Sequence, residues 1–548
     1  MNRSITQYLL DSIKTLGIKD VFGVPGDFSF PITDAVCNDR ELRWIGNCNE
    51  LNASYAADGY ARIKGFAALA TTFGVGELSA ICGVAGAYAE HLPVIHIVGM
   101  PPTKTMLNKR IVHHTLGTGN FEIYKQASAN MVCASATLTP ENAISEIKRV
   151  LEAAVYHHRP VYFAIPLDYG NMPVIGQEDI KVLTISQSDQ ATLREAIAEI
   201  HDKLIKSTSP AVLAGYLIRR LNLQDMATRL IEKADLPFAT MFMDKNTLDE
   251  SLKQYVGIYD GRIMNQEVRD FIESSDFVLN IGALWSDFNT GAFSANIDQA
   301  RMISIMHHHV TIGYATYFKI EMEDVLNGLL QLAEPKATVR PEVKKLGQPQ
   351  GLPDANITPD YFYPVLEGFL KPGDIVVAET GTVSMGLGFA KMPENTMFLN
   401  QTLWGSIGWA TPAALGAAIA APDRRVVLIT GEGAHQLTVQ EISQFSRFGL
   451  KPVVIVLNND GYLIERLLCK DPDIYYNDLA QWQYSKLPEA LGCKDWLSVK
   501  VTKNNELEDA IKKIETCDCG AYIEVCMDKM AASELAMKIH DSIKTLYS

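Results

Sequence analysis

The residues best suited to chemistry lie in two short runs, Gly431-Glu432-Gly433 and Asn458-Asn459. The apolar run RVVLIT leads into the first and PVVIVLNN ends in the second, with 24 residues between Gly433 and Asn458. An acidic side chain and an amide therefore stand at the ends of two expected strands, which the spacing predicts to be neighbours. Hard divalent cations such as Mg2+ take oxygen ligands of this kind and accept diphosphate oxygens beside them. The glycines allow backbone to approach phosphate closely, and a helix after Gly433 would add N–H groups. A GxG alone reads as a strand-to-helix turn. The spacing to a double Asn, followed by Asp460-Gly461-Tyr462, carries the metal and diphosphate reading.

Five further residues could move protons. Glu50, in WIGNCNELNASYAADGYAR, follows an expected strand and opens a helix; taken alone it is a first-turn glutamate favoured by the helix dipole. Asp27, in FGVPGDF, alone reads as a turn or N-cap aspartate. His113 and His114, in IVHHTLGTG, are adjacent and do not share a helix face, so they are not a metal pair at i, i+4 spacing. Imidazoles can relay protons near neutral pH. Glu465, in GYLIER, alone reads as an exposed helical glutamate. The run His307-His308-His309 reads as a strand end or loop able to hold stray metal.

Read together, GEGAHQLTVQEI and VIVLNNDGYLIE resemble the motif of the thiamine-diphosphate-dependent 2-oxo-acid decarboxylases, the family of pyruvate, indolepyruvate and branched-chain 2-oxo-acid decarboxylases. HHT followed by LG is a further mark of that family. The resemblance implies that Glu432, Asn459 and the carbonyl of Gly461 hold Mg2+, and that backbone around Gly433 and Ala434 meets the diphosphate of thiamine diphosphate. Thr380 and Thr382 match positions near the pyrimidine and diphosphate, the Gly405 carbonyl accepts from the cofactor amine, and Ile407 props the cofactor into a bent shape. Glu50 matches the glutamate that protonates the pyrimidine ring. Asp27, His113, His114 and Glu465 match residues that transfer protons and serve the reacting carbon. The family aspartate is replaced by Glu432, whose extra methylene puts cation affinity in question. Restoring Asp is expected to tighten cofactor retention unless the site has adapted to Glu.

Phe288, Ser384, Met385, Leu463, Ile464, Ile539 and Ile543 match the substrate pocket, Ile464 being assigned to the cofactor as well; all read equally as core. Small Ser384 suggests room for longer 2-oxo acids, and Leu463 acts against it. The implied reaction is non-oxidative decarboxylation of 2-oxo acids to aldehydes and CO2, over a broad aliphatic and aromatic range. The alternatives are a pyruvate-specific decarboxylase and a thiamine-diphosphate carboligase. Family active sites lie between subunits, so a homodimer is the minimum and a homotetramer the favoured state.

The elements that must position these groups follow a strand–helix rhythm. Strands are expected near 21–24, 44–45, 67–72 and 94–98, and again at PAVLAG, FVLNIGA, DIVVAE, RVVLIT and PVVIVLNN. Ser4 and Gln7 have capping-box spacing before a first helix that Gly17 can end. The reading is α/β, with parallel sheets covered by helices. The family fold implies three doubly wound parallel-sheet domains: pyrimidine-binding (1–180), middle (181–340) and, after a Pro-rich linker (341–360), diphosphate-binding (361–548). With 49 basic and 64 acidic residues the chain has a net charge of −15, which argues against nucleic acid as a partner. No run has the length and purity of a membrane span. Nine scattered cysteines without a CxxC pair argue against a disulfide framework and fit a cytoplasmic enzyme.

Overall fold

The computed structural model of the protein describes residues 3–176, 186–336 and 338–538, so Ile539 and Ile543 lie outside the described residues. The apolar runs form three sheets covered by helices. The first contains β1 (Asp20–Gly23), β2 (Arg43–Gly46), β3 (Ala67–Thr72), β4 (Val94–Met100), β5 (Ala134–Thr137) and β6 (Val161–Pro166). It runs in the order β2-β1-β3-β4-β6-β5, all parallel. Strands β3, β4 and β6 are buried along their whole length, which is why they read as unbroken apolar runs without alternation. Ser4 caps the first helix, Ile5–Lys14, by accepting from the Gln7 N–H.

The second sheet is built from β7 (Pro210–Ala214), β8 (Phe238–Thr240), β9 (Tyr255–Ile258), β10 (Phe277–Ile281), β11 (Met302–Ile305), β12 (His309–Ile312) and β13 (Ala315–Phe318). Its order is β13-β12-β11-β10-β7-β8-β9, with β12 and β13 forming an antiparallel edge on a parallel sheet. The histidine run makes the β11–β12 turn. His308 Nδ1 lies 2.7 Å from Glu321 Oε2, and the rings of His307 and His308 stack at 3.8 Å and 21°. The run thus sits at a strand end, and ligand atoms of His307, His308 and Glu321 lie within 4.8 Å of one another, near enough to hold a stray metal ion.

The third sheet contains β14 (Ile375–Ala378), β15 (Met397–Leu399), β16 (Val426–Gly431), β17 (Val453–Asn458), β18 (Leu497–Val501) and β19 (Ala521–Cys526). It is parallel throughout, in the order β15-β14-β16-β17-β19-β18. Ahead of it, the Pro-rich stretch carries neither helix nor strand among its described residues until helix Pro359–Phe369. One disulfide joins Cys517 and Cys519. The bridge spans a single residue and is no framework. No described helix is long and apolar enough to cross a membrane.

Two packing units result. One holds the first sheet together with Gly408–Asp423 and Thr438–Leu450; the other holds the remaining two sheets. Within the first unit, helix Glu50–Lys64 is held between two helices by small residues. A Cβ at Gly83, on helix Val75–Ala89, would overlap the Ser54 side chain. On the other side a Cβ at Gly59 would overlap the Ala413 backbone, and one at Gly416 the Ala56 carbonyl. That explains the composition of helix Ala410–Ala420, ATPAALGAAIA, which is buried on every side. Buried Arg62 closes the same helix stack, bonding Asp58 at 2.7 Å and Glu90 at 2.6 Å, while Trp409 Nε1 donates to Asp58 at 3.0 Å. Gly416→Ala should therefore destabilise this unit by about 1–3 kcal/mol, read as a lowered thermal midpoint; an unchanged midpoint would show that the helices can separate freely.

Candidate active site

In the first unit the crevice lies where strand order reverses, between β1 and β3, at the carboxyl ends of the strands. Chain leaving β1 reaches Asp27, chain leaving β2 reaches Glu50, and chain leaving β3 reaches Gly74 and Gly76. Glu50 is the first residue of its helix. Asn49 caps that helix, its side chain accepting from the Asn52 N–H at 2.8 Å. The entry is clamped by Glu441, whose carboxylate accepts from Asn47 Nδ2 and Asn52 Nδ2 at 2.8 Å and from the Cys48 N–H at 3.3 Å. Burial pushes the Glu441 carboxyl above its ordinary range, against these donors. A Cβ on Gly76 would stand 3.2 Å from Glu50 Oε1, so the Glu50 carboxylate rests against the start of helix Val75–Ala89.

Asp27, His113 and His114 come together. His113 Nε2 lies 2.8 Å from Asp27 Oδ2, and His114 Nε2 lies 4.0 Å from Asp27 Oδ1. The Phe28 ring stacks on His113 at 4.7 Å and meets His114 edge-on. Two adjacent histidines reach one carboxylate because the chain bends at His114, whose φ is +63°. Its carbonyl accepts from Tyr124 Oη at 3.2 Å and abuts Gly74, itself at φ +68°, where a Cβ would overlap it. A partly exposed carboxylate with two imidazoles beside it can pass protons to and from a ligand.

In the second unit, Gly431 on β16 pairs in register with Leu457 on β17, so Glu432 and Asn459 leave adjacent strand ends. Glu432 Oε1 accepts from the Asn459 N–H at 3.1 Å and the Gly461 N–H at 2.8 Å. Burial raises the Glu432 carboxyl to about 7, against the N–H groups of Gly461, Glu432 and Asn459, and the Asp460 charge adds to the rise. The Asn459 amide lies 3.2 Å from Oε2 and 3.3 Å from Oε1. With nitrogen inward it donates to the carboxylate. With oxygen inward, the two oxygens are spaced much like cis ligands of one octahedral cation, ~3.0 Å apart for Mg–O bonds of ~2.1 Å. Gly461, at φ +148°, lies against buried Arg466, which a Cβ there would strike. Arg466 ties the loop by donating to Asp460 O at 2.9 Å, Pro472 O at 2.8 Å and Asp478 Oδ1 at 2.8 Å.

The surroundings fit a diphosphate cofactor. Nothing lies within 4 Å of a Cβ position on Gly431, and at Gly405, φ +62°, the nearest atoms are Thr402 O at 3.8 Å and Thr380 Cγ2 at 3.9 Å. Gly433 passes under the Tyr462 ring, where a side chain would collide, and Ala434 is buried beside it. Thr380 Oγ1 donates to Gln401 O at 2.7 Å, so its hydroxyl is already held by backbone. Thr382 opens the short helix Thr382–Gly386 after Gly381, φ +102°. Ile407 is half-buried.

Glu465 is exposed on helix Leu463–Leu468. Leu463 and Met385 are buried in one apolar cluster with Phe242, Leu467 and Leu535, and Ile464 packs against it partly buried. Phe288, partly exposed, stacks on Phe242 at 6.3 Å and 24°. Buried Ser384 turns its hydroxyl to the Gly381 carbonyl at 3.0 Å. Phe242 and Leu535 escaped the sequence reading because an isolated apolar residue looks like any other core position. Glu441 and Arg466 escaped it because a buried charge has no local signature. Arg466 does adjoin Glu465 in a motif already singled out.

Comparison with known proteins identifies the family. Residues 3–121, 197–327 and 379–525 match, respectively, the N-terminal TPP binding, central and C-terminal TPP binding domains of the thiamine pyrophosphate enzymes. The chain is 37% identical over 538 residues to an alpha-keto-acid decarboxylase of Mycobacterium leprae, covering 96% of this chain and 93% of the relative. It is 38% identical over 514 residues to pyruvate decarboxylase isozyme 1 of Saccharomyces cerevisiae, covering 92% and 91%. It is 38% identical over 547 residues to an alpha-keto-acid decarboxylase of Mycobacterium avium, covering 98% and 96%.

The Glu432 contacts bear on the effect of its extra methylene. That methylene lets the carboxylate reach two N–H groups on the neighbouring loop, and an Asp would fall short of both by about one C–C bond. Glu432→Asp is therefore expected to weaken Mg2+-dependent binding of thiamine diphosphate by about tenfold, the equivalent of one charge-assisted hydrogen bond. Titration of intrinsic tryptophan fluorescence would measure it, and tighter binding would mark Glu432 as a misfit.

Proposed function

The chain belongs to the thiamine-diphosphate-dependent 2-oxo-acid decarboxylase family, and we propose that it cleaves 2-oxo acids of broad aliphatic and aromatic range to aldehydes and CO2, using Mg2+. The observation that carries the proposal is the Glu432 carboxylate and the Asn459 side-chain amide, side by side at the ends of β16 and β17. Glu432, Asn459 and the Gly461 carbonyl would hold the cation. Backbone at Gly433 and Ala434 would meet the diphosphate, with Thr380, Thr382, Gly405, Ile407 and Ile464 around the rest. Thiamine diphosphate, when bound, supplies the nucleophilic carbon and the electron sink for the cleavage.

The protein's own part is proton management and exclusion of water. Glu50, first residue of the helix that Asn49 caps and with its Oε1 against Gly76, would protonate the cofactor's pyrimidine ring. The Asp27–His113 pair, 2.8 Å apart, exchanges protons with the substrate side, with His114 beside it. Glu465 serves as the acid that delivers a proton where CO2 leaves. The apolar cluster around Met385 and Leu463, with Phe288 at its edge, provides dry surface for the side chain of the 2-oxo acid. Apolar pockets separate neighbouring homologues by roughly 1–3 kcal/mol per methylene, which fits a graded substrate range. Three domains divided near 180, 340 and 360, a homotetramer with sites between subunits, and a cytoplasmic location belong to the same reading.

Aldehyde release from the protein supplied with thiamine diphosphate and Mg2+ tests it, across pyruvate, branched and longer aliphatic acids and phenylpyruvate. Product is expected from several acids, to stop on chelation and to return with Mg2+. Product from pyruvate alone would narrow the substrate class, and acetolactate-type condensation products in place of aldehyde would mark a carboligase. Glu50→Gln and Glu465→Gln should each lower kcat by about 10²–10⁴-fold, while Glu465→Gln still folds and binds cofactor. Rates near wild type in either variant would remove its assigned role.

A further inference from the structure

Behind the Asp27–His113–His114 cluster lies a carboxylate that the mechanism above does not use. Glu77 is fully buried in the first turn of helix Val75–Ala89. Its Oε1 accepts from the Gly74 N–H at 2.8 Å and its Oε2 from Tyr162 Oη at 2.9 Å. Tyr162 is itself buried on β6, and His96 meets its ring edge-on at 5.6 Å while bonding Thr71 Oγ1 at 2.9 Å. Glu77 is thus anchored from two elements, and one anchor is the amide of the residue that supports His114.

Gly74 is left-handed, and its Cα surface is filled by the His114 carbonyl. Two residues on, Gly76 provides the surface on which Glu50 Oε1 rests. The turn 73–76 therefore touches both halves of the proton-transfer set in this unit. A buried carboxylate is costly unless its lone pairs are used, so it persists where it fixes a conformation that chain entropy would otherwise release. Among the described residues no cationic side chain acts on its carboxyl. The ionisable groups facing it are Tyr162 and Tyr124, whose hydroxyls are raised by burial and by the Glu77 charge, with Glu122 acting on Tyr162 as well.

We propose that Glu77 is a positioning residue, which sets the Gly74–Gly76 turn and through it the His114 carbonyl and the Glu50 carboxylate. The inference rests on the decarboxylase reading for its kinetic effect but not for its structural one. Burial, opposed by the Gly74 and Tyr162 donors, raises its carboxyl to about 7, and an amide can replace it, its oxygen accepting from the Gly74 N–H and its NH2 donating to Tyr162 Oη.

Glu77→Ala is expected to lower kcat tenfold or more with KM changed less than threefold, and Glu77→Gln to recover most of the loss. In a His114→Ala background Glu77→Ala should cost at least threefold less than in the wild type, because the imidazole carried on that carbonyl is gone and only the Glu50 contact remains to be lost. An equal cost in both backgrounds, or kcat within twofold of wild type for Glu77→Ala alone, overturns the proposal. If Glu77→Ala does not fold, Tyr162→Phe removes the second anchor only and should show the same dependence on His114 at three- to tenfold. Hydrogen exchange of cofactor-free protein decides the matter without turnover. Gly74 and Leu78, whose N–H donates to Gly74 O at 2.9 Å, should exchange at least tenfold faster in the variant, and equal protection overturns the proposal even if no acid proves to be a substrate.

Discussion

Parallel pairing of β16 with β17 is the constraint on which the proposed cation site depends. Each strand is buried on both faces and hydrogen-bonded on both edges, so its register cannot slip without moving every side chain to the wrong face. With Gly431 opposite Leu457, Glu432 and Asn459 must emerge side by side. Everything else at this site adjusts to that. The Glu432 carboxylate folds back to the N–H groups of Asn459 and Gly461, and buried Arg466 holds the loop that presents them.

The proposed proton-transfer set of the other unit depends on a different device, close packing through glycine. Helix Glu50–Lys64 carries Glu50 at its first position, and its height and rotation are set by neighbours that approach to backbone contact at Gly59, Gly83 and Gly416. The same logic recurs at Gly74 and Gly76, where missing side chains are occupied by the His114 carbonyl and the Glu50 carboxylate. Glycine at these points costs chain entropy on folding and returns a fixed separation between groups that must exchange protons.

Much of this was legible in the amino-acid order because strand ends carry the chemistry in open α/β sheets. The runs AALATT and RVVLIT lie within one residue of the strands Ala67–Thr72 and Val426–Gly431, since buried parallel strands leave continuous apolar runs. Residues just beyond those ends, Asp27, Glu50, Glu432 and Asn459, could be picked out for the same reason. The antiparallel edge at β12 and β13 was not legible, nor was the Cys517–Cys519 bridge. Both depend on a local reversal of the chain that apolar patterning does not encode.

The sequence by itself determined the class of fold, the carboxylate and amide at the two strand ends and the identities of the acids and histidines, because these depend on residue type and on spacing along one strand or turn. Tertiary structure alone decided that His113 and His114 both reach Asp27, that Glu441 and Glu77 clamp the turns around Glu50 and His114, and that Phe242 and Leu535 join Met385 and Leu463. Those contacts join residues distant in sequence through backbone bends and burial. Their energies come from desolvation and close packing, which depend on what surrounds a group in space and leave no pattern along the chain.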